Sequence, residues 1–149
     1  MHFTWREKLM MPVIFLALGA ARLMVLIVPF RRYGFIFGHK LGSRAVQPSI
    51  DATAQLADRG RVIRTVAKNT PWSSNCLAQA IVAAVYLRIL RLPFTTYFGV
   101  KKSNKDAVDL DAHAWVVAGD IGITGLKQSI GMTPVSTFIF APSIKPSRT

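Results

Sequence analysis

The chain has 149 residues and a mass of 16.4 kDa, enough to bury one ordinary core without disulfides or metals. Hydrophobic residues make up 51% and charged residues only 17%, a balance that argues against intrinsic disorder. One Cys excludes an internal disulfide and, with three His, the usual cysteine-rich zinc sites, so neither a metal nor a cofactor is expected.

The net charge of +12 invites a nucleic-acid or membrane partner. Mapped along the chain it weakens the first. Residues 1–45 carry +6, residues 46–92 carry +4 and residues 93–149 carry +2. No RNA-binding aromatic signature, zinc-finger spacing or Gly-rich phosphate loop is present, and no nucleic-acid partner is expected.

Met10 to Phe30 is almost wholly apolar and about as long as a bilayer-spanning helix, although Arg22 lies near its middle. Basic residues flank both ends, so the positive-inside rule sets no orientation, and no signal-peptide cleavage site follows. A buried or partner-binding helical hairpin, a membrane-surface helix and a span remain open. Pro12 suits a first helical turn and Pro29 a stop. Residues 30–42 read as a short second helix ending near Gly42, with His39 an exposed polar residue, as is His2.

Pro48 and Ser49 open a polar linker, which divides the chain into an apolar, basic helical segment (1–45) and a second unit (46–149). Asp51–Asn69 has helical spacing that Gly60 weakens or breaks. Ser73, Ser74 and Asn75 are good N-caps for a helix from Cys76 to Leu90, apolar nearly all round and therefore central and buried. Beyond Pro93 the composition turns to β. Strands are expected at Phe94–Val100, Ala112–Gly119, Ile121–Leu126 and Val135–Phe140, with a turn at Gly119-Asp120. Helices followed by an antiparallel meander give an α+β fold.

Cys76 falls on the first turn of the buried helix, where free backbone N–H groups and the helix dipole favour an anionic sulfur. His113 alternates with Trp115 and Val117 on one strand face. If the sheet packs on the Cys76 helix, His113 can approach the thiol and complete a Cys–His nucleophile–base pair.

Four pieces of sequence resemble the B proteins of lasso-peptide biosynthesis, small transglutaminase-like cysteine peptidases. They are Pro71-Trp72 shortly before Cys76-Leu77, the helix ending in Arg88, Arg91 and Pro93, the strand ending Phe98-Gly99-Val100, and Ala112-His113-Ala114-Trp115-Val116. The N-terminal run from Leu16 to Arg32 is similar to the helical preface of these proteins. The resemblance implies a transglutaminase-like (papain-like) core, with the Cys-bearing helix packed on a small antiparallel sheet. It implies removal of the leader from a ribosomally made precursor peptide, with Cys76 as nucleophile and His113 as base. It also implies two partners, a small leader-recognition protein and the cyclase that uses the freed amine.

The family pattern expects a carboxylate or amide after the His strand. With a turn at Gly119-Asp120, the position opposite His113 is near Gly125 or Leu126, whose side chains cannot serve. Asp120 is the first candidate and Asp111 the second, with Thr124 and Gln128 as weaker orienters. Asn75 or Gln79 could add an oxyanion donor, Asn75 being better read as a plain cap. Trp72 and Trp115 are candidate walls of the substrate groove. The alternatives are an acyltransferase using the same pair, and a non-catalytic membrane-surface or partner-binding protein. A reducing, cytoplasmic location is expected, with membrane contact through residues 10–30 left open.

Overall fold

The computed structural model describes residues 2–41, 53–71, 75–102 and 110–141. The fold is α+β, with helices leading and an antiparallel sheet following.

Helix α1 runs unbroken over Trp5–Ile27. Thr4 starts it with a capping box: its hydroxyl accepts from the Glu7 N–H at 3.4 Å, and the Glu7 carboxylate accepts from the Thr4 N–H at 2.6 Å. This cap moves the helix start ahead of the expected one, so Pro12 sits in the interior rather than the first turn. The helix ends before Pro29, as its fixed φ predicts. The expected second helix is only α2 (Phe30–Tyr33) and a 3₁₀ turn (Gly34–Phe37), after which the chain enters strand β1 (His39–Leu41). Phe37, fully buried, meets Phe98 edge-to-face at 5.3 Å and fastens this segment to the sheet.

Helix α3 (Thr53–Lys68) passes straight through Gly60. A Cβ there would lie 2.6 Å from the Ile123 carbonyl oxygen, so Gly60 is the point where α3 and the sheet edge touch, and it does not break the helix. Helix α4 (Cys76–Ile89) is capped by Asn75, whose side chain accepts from the Ala78 N–H at 2.9 Å. Its small residues Ala78, Ala80, Ala83 and Ala84 are buried and allow close approach of α1 and the sheet.

Strands β2 (Phe94–Lys102), β3 (Leu110–Ala118), β4 (Ile121–Thr124) and β5 (Thr133–Phe140) join β1 in the order β1-β5-β2-β3-β4. Only β2, β3 and β4 form the expected meander. β5 returns across the sheet to pair with β2, so β4 is left as an edge. One core then holds Leu18 of α1, Ile63 of α3, Leu87 of α4 and Ala114, Val116 and Ala118 of β3. The expected linker at Pro48-Ser49 lies outside the described residues.

Candidate active site

Cys76 is the first residue of α4 and is half-buried. Asn75 is spent on the cap, so the plain reading of that residue holds. One cavity of about 580 Å³ is lined by both Cys76 and His113, together with Gln79, Gln128, Gly125 and Leu126. Arg64, Lys68 and Lys127 also line it, and among the described residues no carboxylate does. Among the described residues no hydrogen bond joins the Cys76 Sγ to His113.

The route by which His113 reaches the cavity differs from the expected one. The β3 residues that enter the shared core are Ala114, Val116 and Ala118, so by strand alternation His113 and Trp115 lie on the other face. β4, however, stops at Thr124, opposite Val116. Beyond it the chain no longer pairs with β3 but turns beside it at Gly125, and His113 lines the cavity there together with Gly125 and Leu126.

Two contacts hold the ring. His113 Nε2 lies 2.8 Å from the Gly125 carbonyl oxygen. A carbonyl can only accept, so Nε2 carries the proton, and in the neutral ring Nδ1 is the free base. Trp115 stacks on the imidazole with centroids 6.0 Å apart and planes at 16°, and Tyr97 stacks on Trp115 at 5.4 Å. Two glycines make room. A Cβ on Gly125, whose φ is +73°, would come within 2.8 Å of His113 Nε2, and one on Gly99 within 2.8 Å of the Trp115 ring.

The expected third member is displaced. Asp120 lies in the exposed β3–β4 turn. Five residues of strand, roughly 16 Å, separate His113 from Ala118, and Asp120 lies beyond that. It does not line the cavity and cannot orient the imidazole. Asp111 is exposed, opposite Lys101 in the register, and also outside the lining. Thr124 is buried in the sheet and does not reach the cavity, whereas Gln128 does. Gly125 has no side chain to offer, but its backbone carbonyl occupies the place reserved for an acid or amide.

Trp115, 6% exposed, supports the His113 ring and does not wall the groove. Trp72 lies outside the described residues. The sequence reading missed Arg64. Its guanidinium donates to the Ile123 carbonyl and ties α3 to the β4 edge beside the cavity, and burial together with neighbouring Arg61 holds its pKa below the usual arginine value.

A family model described as the transglutaminase-like superfamily matches residues 21–137. The chain belongs to that superfamily. That superfamily includes cysteine peptidases and acyltransferases, and the helix bearing Cys76 and the strand bearing His113 both fall inside the matched span. Neither the curated proteins nor the solved structures contain a match.

Proposed function

We propose that this transglutaminase-like domain is a cysteine peptidase that removes the leader from a lasso-peptide precursor. The observation that carries the chemistry is the shared cavity, where Cys76 at a helix N-terminus and His113 with Nδ1 free open onto the same space. What supports the lasso assignment is the resemblance of Cys76-Leu77, Phe98-Gly99-Val100 and Ala112-His113-Ala114-Trp115 to the B proteins of that pathway.

In this reading His113 Nδ1 takes the Cys76 proton and the sulfur attacks the carbonyl carbon at the end of the leader. Collapse of the adduct breaks the C–N bond as His113 returns the proton to the leaving amine, the new N-terminus of the core peptide. The leader remains as a thioester. Water, deprotonated by His113, attacks it and releases the leader acid and the free thiol. The Cys76 backbone N–H, the first of the helix, is a donor for the developing oxyanion. Substrate binding draws the thiol and imidazole into hydrogen-bond range, as is common for sites loose in the free enzyme.

The leader is presented by a small recognition protein, and the cyclase consumes the freed amine. The lone thiol fits a cytoplasmic site of action.

Incubation with a cognate precursor and the recognition protein, followed by mass spectrometry, tests the reading. Wild type is expected to release leader and core peptide, and folded Cys76→Ala or His113→Ala to release neither. Normal cleavage by Cys76→Ala overturns it. Transfer of the leader acyl group to an added amine in preference to water identifies an acyltransferase instead.

A further inference from the structure

We propose that α1 seats this protein on an anionic bilayer, lying in the plane of the membrane with its outer stripe at the boundary of headgroups and acyl chains. By length and composition α1 could cross a membrane, but its packing argues for a helix lying flat. Glu7, Ile14, Leu18 and Ala21 form the buried face. Leu18 is 0% exposed, and Glu7 is joined to Arg61 of α3 at 3.0 Å. A spanning α1 would have to give up all of these contacts.

The opposite face is the unusual one. Trp5, Leu9, Val13, Leu16, Leu23 and Ile27 recur at helical spacing and are exposed, Leu16 at 71% and Ile27 at 70%. Ala20 continues the stripe between Leu16 and Leu23. A soluble surface does not ordinarily leave so continuous an apolar line uncovered.

The charges select the occupant. The exposed charged residues of α1 are Arg6 and Lys8, both in its first turn, and Arg31 and Arg32 are exposed just beyond its far end. All four are cations, and none falls within the stripe. Glu7, the sole acid of the first 45 residues, is buried and paired with Arg61. An apolar line with cations at each end, and no exposed acid along it, matches a surface that is apolar within and anionic at the level of its headgroups. An apolar protein partner would call for the stripe but not for the cations.

The test uses the full chain with phosphatidylcholine vesicles, with and without phosphatidylglycerol. Wild type is expected to co-sediment with the anionic vesicles at least about tenfold more tightly than with the zwitterionic ones, and less tightly in high salt. Trp5 fluorescence is expected to shift to shorter wavelength on binding, a shift that Trp5→Phe removes. The combined Leu9→Glu, Leu16→Glu and Leu23→Glu variant alters only the exposed face. It is expected to keep its circular dichroism spectrum and lose vesicle binding. Absence of binding to either vesicle overturns the proposal, as does unchanged binding by the triple variant. Resistance of the bound protein to alkaline extraction overturns the in-plane geometry. A wild-type dimer that the triple variant turns into a monomer, without vesicle binding, assigns the stripe to a protein interface instead.

Discussion

His113 is oriented by an atom that no side-chain reading could supply. Its Nε2 proton goes to the Gly125 carbonyl, and its ring plane is held by Trp115, which in turn rests on Tyr97. A backbone carbonyl fixes the tautomer as a carboxylate would, but it brings no negative charge to offset an imidazolium. Gly125→Ala puts a methyl where Nε2 lies and strains a left-handed residue, so the ring must move. We expect kcat for precursor cleavage to fall about 100-fold, with KM little changed and the fold retained by circular dichroism. Loss confined to KM would mean that the carbonyl does not position the base. A second residue-scale prediction concerns the sheet. The Thr124 and Thr96 hydroxyls are buried beside Val116 with no hydrogen-bond partner among the described residues. An unpaired buried hydroxyl costs about 1–3 kcal/mol, so Thr124→Val should raise stability by about 1 kcal/mol in denaturant unfolding.

At the scale of elements, the docking of α1 is pH-sensitive in a defined direction. The Thr4 backbone N–H holds the Glu7 carboxyl below its ordinary value of 4.5, against the opposing effect of burial, with the Thr4 hydroxyl and Arg61 adding to the same side. A carboxyl with a lowered folded-state pKa contributes stability that is full above the unfolded value and is lost as pH falls through the folded one. Hydrogen exchange should therefore show the first turns of α1 losing protection only below pH 4.5. Glu7→Gln should show lower protection at neutral pH and no such acid step. The elements themselves were largely legible. The Asn75 cap, the small-residue helix behind Cys76 and the β-branched and aromatic runs of β2 and β3 follow from local preference and periodicity. Gly60 was misread because propensity counts the entropy of a glycine and not the neighbour it admits, here the Ile123 carbonyl. The return of β5 to β2 was not legible, because strand order depends on long-range pairing that alternation within a strand does not encode.

At the scale of the whole molecule, the site lies where α3, the start of α4 and the turn beyond β4 converge. Among the described residues, three cations and no carboxylate line the cavity, a local form of the chain's excess charge. Such a lining attracts acidic substrate segments and leaves them screenable by salt. We expect cleavage of a precursor with acidic residues flanking the cut to weaken with rising ionic strength, chiefly through KM. Lys68→Glu with Lys127→Glu should weaken it further at low salt, as initial rates on matched acidic and neutral precursors would measure.

By itself the sequence determined the α+β class, the helix that begins at Cys76 and the strand that carries His113, the two residues that line one cavity. These depend on local periodicity, capping and side-chain chemistry, which residue identity encodes directly. The tertiary structure alone decided that Asp120 is remote, that the Gly125 carbonyl takes its place and that one full face of α1 is bare. A carbonyl is common to every residue, and a helix apolar all round does not announce which side will be covered. Only strand register and the packing of α1 on α3 and α4 give those groups their neighbours.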